Sequence, residues 1–511
     1  MIRSGKAGIV IFILLIVLAV IHLLALGRYP LPWFDESLFA SIAYEFKKTG
    51  KLFPMVCPHA FNFQEAFAYG PVYFSVLSAF YEVLGFGSVV TRLPGFLAGC
   101  LMMPVLIKIF KHFHKAPSSL IHHLFLLTLL YDYSVFESFH LGRMETLAML
   151  FIFLFTLSCI KISELTRPGD VFASPFWMPG LFALLTVACT PRPVMLLFPP
   201  LILVVSRIGI WGILPFLRSV FLPAVFVFVS YAFWIRYAFE DLDGLFNYYE
   251  LVASTGDFSL PFNIRASVYV YQYPVYLAAL VLIFFTIIYK PVLFKSPIVW
   301  ISVLSIILFY WLVAIKRPYG VFVIPYAYLL TFYLFAELQR DLKNRIHSFL
   351  TSAVFSLLII LTVSIGLAKG AYIFHSYVER DPKPVKDFIS KNIPKGSKVV
   401  GDEIYYFSVL ESGSDFQYFN WYGGLEYRER LQREKYKYQY FMISDVMLNF
   451  QRSTFEYYLS KGKLEQVARL VIPDAALTKM INNKRPGLVS YFQYSGTLYR
   501  RPIEELTNKG N

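Results

Sequence analysis

Disulfides are the first thing this chain lacks. It has four cysteines in 511 residues. Cys100, Cys159 and Cys189 fall in or beside apolar runs, and Cys57 stands alone in a polar stretch. No disulfide framework can be drawn, and no CxxC pair suggests zinc. Charge is also scarce, at 16% of residues. The chain has no low-complexity tract and no clear internal repeat, and so lacks the paired repeats common in transporters.

Apolar residues are what it has instead. The chain is 57% hydrophobic and 18% aromatic, with a mean hydropathy of +0.56. Much of this falls in runs of nearly twenty, which identifies an α-helical polytopic membrane protein. The formal net charge of +14 would suit nucleic acid. Lys and Arg cluster between and beside the apolar runs, however, which fits membrane orientation and anionic lipid, so no nucleic-acid partner is expected.

The first apolar run, 8–26, follows Arg3 and Lys6. It is too long for a signal-peptide core and lacks a clear small-residue cleavage site, so an uncleaved first helix with a cytoplasmic N-terminus is expected. Further spans are expected near 89–110, 119–135, 144–162, 177–191, 193–207, 216–236, 271–289, 297–315, 319–336 and 349–370, about eleven in all. Alternation then places Lys108, Lys111 and Lys115, Lys161 and Arg167, Arg207 and Arg218, Lys290 and Lys295, and Arg340, Lys343 and Arg345 in the cytoplasm, the positive-inside pattern.

Three pieces remain outside: the loop 27–88, the loop 237–270, and everything after about 371. The expected division is a transmembrane domain over 1–370 and a soluble extracytoplasmic α/β domain over 371–511. Composition shifts at Arg380-Asp-Pro-Lys-Pro384. Val399-Val400, Ile404–Val409, Tyr438–Ile443 and Tyr491–Tyr499 read as strands, and Pro384–Lys391 and Phe455–Leu459 as helices. Gly401-Asp-Glu403 reads as a turn.

The first outer loop is too elaborate for a connector. Tyr29-Pro-Leu-Pro-Trp-Phe-Asp-Glu-Ser-Leu38 puts two adjacent carboxylates, Asp35 and Glu36, before apolar residues at helical spacing. An amphipathic helix lying along the bilayer surface begins there. Asp35 alone is equally well read as a helix N-cap. A second such segment, 70–85, follows Tyr69 and includes Tyr73, and Thr91-Arg92-Leu-Pro-Gly95 comes after it. The other outer connections carry unusual polar residues: Glu137-Ser-Phe-His-Leu-Gly-Arg143-Met-Glu145, Thr190-Pro-Arg192-Pro193 and Lys316-Arg317-Pro-Tyr319, with Asp241, Asp243 and Arg265 in the loop 237–270. Each arginine on its own is explained by snorkelling. Together they put cations at several outer helix ends, against the positive-inside bias and on the side of every candidate acid. A cavity of that composition suits an anionic ligand.

Trp33-Phe-Asp-Glu-Ser-Leu-Phe-Ala40, Gly70-Pro-Val-Tyr-Phe74 and Thr91-Arg-Leu-Pro-Gly-Phe-Leu-Ala-Gly99 resemble the N-terminal half of the GT-C membrane glycosyltransferases, in particular the protein O-mannosyltransferase and lipid A aminoarabinose transferase group. His140-Leu-Gly-Arg-Met-Glu-Thr-Leu-Ala148 is similar to that group's Arg-x-Asp stretch, with Glu145 in the acid's place. Lys316-Arg-Pro-Tyr-Gly-Val-Phe-Val-Ile-Pro325 is similar to its Lys-Arg-x-Tyr…Pro segment. The resemblance covers about 30–340. It implies a sugar transferred from a polyprenyl-phosphate donor to a lipid, glycan or protein hydroxyl at the outer face of the membrane. With no retention signal and no extended luminal insert, a bacterial inner membrane is the expected location. The resemblance makes Asp35 the expected base, with Glu36 and Glu145 as supporting acids. Arg143, Arg192, Lys316, Arg317 and Arg265 become donor-phosphate contacts, and Tyr69, Tyr73, Arg92 and Tyr319 line the pocket. Direct displacement with inversion is expected.

One departure concerns metal. The aminoarabinose transferases carry a metal-binding Glu before the Pro of the second interfacial helix, whereas this chain reads Phe67-Ala-Tyr-Gly-Pro71. No cofactor is required by the residues. A divalent metal ion stays open, with Glu65 and His59 the nearest ligands. Asp241-Leu-Asp243 matches a DxD pattern but has no nucleotide-binding domain around it. Two other classes compete: a transporter or lipid flippase, and a membrane-anchored receptor working through its tail. A transporter would place polar groups near the midplane, and a receptor would leave the first loop without a purpose.

Overall fold

The computed structural model describes residues 4–50, 52, 70–114, 119–164, 177–190, 192–207, 225, 229, 274–312, 317–341, 345–418, 438–450, 464–484 and 494–502. In chain order the first helices are α1 (Ser4–Leu26), α2 (Phe34–Thr49), α3 (Pro71–Leu84), α4 (Ser88–Phe113), α5 (Ser119–Tyr131), α6 (Tyr133–Phe139), α7 (Glu145–Ser163) and α8 (Trp177–Cys189). A helix α9 at Val194–Arg207 follows, then α10 (Pro274–Tyr289), α11 (Pro297–Leu312), α12 (Ile324–Asp341) and α13 (Arg345–His375). Among the described residues α1, α4, α7 and α13 contain stretches long and apolar enough to cross a membrane, and α5, α8, α9, α10 and α11 are shorter apolar helices. The protein is thus a polytopic helical membrane protein. Of the expected span 216–236 only residues 225 and 229, both helical, are among those described.

Two expected spans are cut short for local reasons. The run 119–135 breaks at Asp132, whose carboxylate accepts from the Ser134 and Val135 amides at 3.0 and 3.3 Å and caps α6. The run 319–336 starts as a 3₁₀ turn, Arg317–Phe322, before α12 begins. Pro325 is tolerated only in the first turn of a helix, and α12 starts one residue before it.

The chain divides into two compact units. The first comprises Met1–His22, Phe67–Tyr73 and Pro94–Lys369. Its centre is α12, buried on nearly every face, which marks an interior helix. Phe332 of α12 meets Phe125 and Phe355 at ring-centroid distances of 5.4 and 4.7 Å, and Tyr326 meets Phe153 at 5.1 Å. On α1 and α13 the apolar side chains Phe12, Ile13, Phe349 and Ile360 are exposed, as lipid-facing residues must be.

The second unit comprises Leu23–Ala66, Phe74–Leu93 and Gly370–Asn511, so the helices of the first loop pack with the tail. The tail continues with α14 (Lys383–Asn392), β1 (Lys398–Gly401), α15 (Tyr406–Glu411), β2 (Asp415–Tyr418), β3 (Tyr440–Ser444), α16 (Asp445–Phe450), β4 (Glu465–Leu470), α17 (Ala476–Lys484) and β5 (Gly496–Arg500). The sheet order is β2-β1-β3-β5-β4. Strand β1 runs parallel to β2 and β3, and β5 runs antiparallel to β3 and β4. The strands expected near 399, 438 and 491 and the helix at 384 are present, while the helix expected at 455–459 lies outside the described residues. The expected strand Ile404–Val409 is instead a 3₁₀ turn followed by α15. A short buried apolar run does not by itself distinguish strand from helix. Adjacent parallel strands need a crossover, and this segment supplies it between β1 and β2.

Candidate active site

The first polar cluster is in the second unit, at the start of α2. Trp33 occupies the N-cap position and makes no capping bond through its side chain, so Asp35, two residues on, is not the N-cap residue. Asp35 and Glu36 sit within the first turn, where unbonded amides and the helix dipole favour carboxylates. Glu36 is fully buried and held by Arg92. The guanidinium donates from Nε to Oε1 at 2.6 Å and from Nη2 to Oε2 at 2.9 Å. Nη2 also reaches Pro30 O at 2.7 Å, and Nη1 reaches Leu26 O at 3.2 Å. Arg92 therefore ties the end of α1, the turn at 30 and the start of α2 to one point. Asp35, one residue earlier, remains partly exposed.

The carboxyl ends of the parallel strands meet this same turn. Tyr418, last residue of β2, donates its hydroxyl to Phe34 O at 2.7 Å and shares a 2.6 Å hydrogen bond with Ser37 Oγ. Its ring lies 4.7 Å from that of Phe34. Just past β1, Glu403 is buried and its carboxyl is pushed up to about 7, by desolvation first and then by the negative charge of Asp35. Asp402 accepts from the Ser444 amide at 2.6 Å, while its Oδ1 is buried with no hydrogen-bond partner among the described residues. Burial, then the neighbouring Glu403, pushes it up to about 8. The cluster thus combines an accessible carboxylate with a buried acid beside it that holds its proton near neutrality.

The second cluster is in the first unit. Between α6 and α7 the chain turns through His140–Met144, and His140 fixes the turn with contacts to Phe136 O at 2.7 Å and His22 O at 3.0 Å. Gly95 lies against this turn, where a Cβ would sit 3.1 Å from Leu141 O. Arg143 then grips Glu145, first residue of α7, from Nε at 3.1 and 3.0 Å and from Nη2 at 2.5 Å. Both are buried. The guanidiniums of Arg143 and Arg192 lie 5.7 and 5.0 Å from the centroid of the Tyr319 ring. Two planar cations at one aromatic ring form a surface suited to a phosphate.

Solved structures resemble this chain in fold over nearly its whole length. ArnT, the lipid A aminoarabinose transferase, from Cupriavidus metallidurans in its undecaprenyl-phosphate-bound form superposes with a TM-score of 0.58 at 12% identity, covering 97% of this chain and 98% of that one. The apo form gives 0.56 at 12% identity, covering 98% and 99%. The chain has the GT-C fold. No protein-family model and no curated protein matches the sequence.

Within this GT-C scaffold most of the described site residues fall into two clusters, with Tyr73 apart from both. Asp35, Glu36 and Arg92 share the first cluster, and Arg143, Glu145, Arg192 and Tyr319 share the second. Tyr73 is buried in α3, which Gly70 opens with φ of +71°; a Cβ there would lie against the Ala188 carbonyl. Tyr69, Lys316, Arg265, Glu65 and His59 lie outside the described residues, as does the side chain of Arg317. Among the described residues no group of three His, Cys, Asp or Glu side chains gathers to hold a metal ion. Sequence reasoning missed Glu403 and Tyr418. Their signal was topological, because ligand sites favour the carboxyl ends of parallel strands at the point where strand order reverses. Here that point is β1, whose two neighbours are β2 and β3.

Proposed function

We propose that this protein is a glycosyltransferase that moves a sugar from a polyprenyl-phosphate donor to an acceptor hydroxyl at the outer face of the inner membrane. The observation that carries the reading is the pair of adjacent acids on a GT-C scaffold, with Glu36 locked by Arg92 and Asp35 partly exposed in the same helical turn. The full-length likeness to a transferase that holds undecaprenyl phosphate supports the donor class.

Asp35 accepts the proton of the acceptor hydroxyl as its oxygen attacks the anomeric carbon. The bond from that carbon to the phosphate oxygen breaks, and the lipid phosphate leaves as an anion. Arg143 and Arg192 stabilise the charge that grows on it, with Lys316, Arg317 and Arg265 as further contacts. A single displacement inverts the anomeric centre. Glu36 and Glu145 support the site by orienting Arg92 and Arg143.

The test is transfer of radiolabelled sugar from a polyprenyl-phosphate donor by the protein reconstituted in liposomes. Asp35→Asn is expected to abolish transfer while expression and membrane insertion stay normal. Near-normal turnover by that variant rules out the base.

A further inference from the structure

Two arginines of the second unit sit just past the ends of the apolar helices α1 and α13. Arg28 is fully engaged. Its Nη1 donates to Tyr377 O at 2.7 Å, its Nη2 meets Asp381 at 3.2 Å, and its guanidinium lies 3.6 Å from the centroid of the Tyr377 ring. Arg380 is 8% exposed, yet no carboxylate pairs with it among the described residues. Its Nη2 donates to the Tyr372 hydroxyl at 2.9 Å, and its Nε is buried without a hydrogen-bond partner. Nη1 is neither sealed off nor bonded to protein, so the guanidinium keeps one open corner. Buried charges are costly unless paired, so this one calls for a counter-ion from outside.

The direction of the side chain says where that ion is. Arg380 follows the end of α13 by five residues, but its head returns to Tyr372 in the last turn of the helix. Helical aromatics lean toward the N-terminus, so the charge points back along an apolar helix. Snorkelling would send it the other way, out to water. The rings of Tyr29 and Tyr372 flank it, with centroids 4.9 and 5.3 Å from the guanidinium carbon. Tyrosines at the ends of apolar helices mark the headgroup level of a bilayer. Between Tyr372 and Arg380 in sequence, Phe374 and Val378 are 72% and 79% exposed, which suits acyl chains better than water.

The charges set the sign of the ligand. Arg28, Arg380 and Lys383 stand against Glu379 and Asp381. Asp381 is taken by Arg28, and Glu379 accepts from the Ala475 amide at 2.6 Å and the Thr478 hydroxyl at 2.7 Å. A single negative charge balances the group, and a guanidinium edge fits a phosphate. We propose that Arg380 binds the phosphate of an anionic membrane phospholipid, with Tyr29 and Tyr372 at the headgroup and Phe374 and Val378 against the chains. The donor-phosphate contacts proposed above, Arg143 and Arg192, belong to the other unit, so this site goes beyond the transferase reading.

Native mass spectrometry of the delipidated full-length protein tests it, with phosphatidylglycerol, phosphatidylcholine, glycerol 3-phosphate and undecaprenyl phosphate as probes. Phosphatidylglycerol is expected to bind with a Kd on the order of 10 μM, at least tenfold tighter than zwitterionic phosphatidylcholine. It should also raise the melting temperature. Arg380→Met should weaken that binding at least tenfold and remove the rise. The melting temperature without lipid should hold or increase, because the charge has no carboxylate to lose. Arg28→Met, which breaks a pair, should lower it instead. Equal affinity for both phospholipids overturns the proposal, as does unchanged phosphatidylglycerol binding by Arg380→Met. A lipid-free melting temperature that falls in Arg380→Met as far as in Arg28→Met makes the residue structural and overturns it too. Glycerol 3-phosphate binding as tightly as the lipid rules out a lipid occupant. One-for-one displacement of phosphatidylglycerol by undecaprenyl phosphate turns the site into the donor's and ends the proposal. None of these readouts depends on sugar transfer, so the transferase reading stands or falls separately.

Discussion

Two arginine–carboxylate pairs, Arg92–Glu36 and Arg143–Glu145, look alike at first sight, since both are two-pronged and withdrawn from solvent. Their surroundings differ. Arg92 spends its remaining donors on two main-chain carbonyls, 66 and 62 residues from its own position, and joins the end of α1, the turn at 30 and the start of α2. Arg143 holds a partner two residues away, and a second guanidinium shares its aromatic neighbour. A cation whose donors all end on the protein is a fastener. Arg143 instead organises a local turn and meets a second cation at the Tyr319 ring. Asp402 and Glu403 extend the contrast: they are buried acids held near neutrality by protonation rather than by an arginine.

The largest effect expected from this comparison is on folding. Arg92→Met strands a buried carboxylate and should cost about 3–5 kcal/mol, read as loss of folded protein in detergent thermal melts, whereas adding Glu36→Leu restores much of it. An Arg92→Met protein as stable as the wild type would erase the distinction. Next is Arg192→Gln, which should leave the melting temperature within error and lower kcat by about 10²–10³, the usual result of removing a group that stabilises developing charge. A parallel fall in stability would place Arg192 with the fasteners. Tyr418→Phe is smaller: it removes hydrogen bonds to Phe34 and Ser37, each worth about 1 kcal/mol. It should lower kcat several-fold with KM little changed, since the turn bearing Asp35 loses its support.

The smallest effect is a pH slope. Asp402 and Glu403 carry protons in the folded protein up to about 8 and 7, but lose them near 4 when unfolded. Between those limits the folded state binds more protons, so stability falls as pH rises from about 4 toward 8. Asp402→Asn keeps the acceptor for the Ser444 amide and removes the charge. Melting temperatures from pH 5 to 9 should therefore decline less in the variant than in the wild type.

Much of this was readable from residue order. The helix α2 that carries Asp35 and the helix α3 beginning at Pro71 were announced by helical spacing after a turn, and the stretch 137–145 by charges at a helix end. Local pattern failed where the answer depended on pairing. Nothing near Ile404 says that β1 and β2 are parallel, so a crossover helix was read as a strand. Nothing near Glu403 or Tyr418 says that α2, more than 350 residues earlier, packs against the ends of those strands. The Arg92–Glu36 pair escaped for the same reason, because a motif shows which residues recur but not which of them grip each other.

The hydroxyl that Tyr418 lends to the backbone at Phe34 has a consequence for anyone trimming this protein. The tail is not cargo attached to the helices that precede it. Removing it would take away the anvil on which the first turn of α2 rests, so a shortened chain could still insert in the bilayer yet hold its key carboxylate out of true.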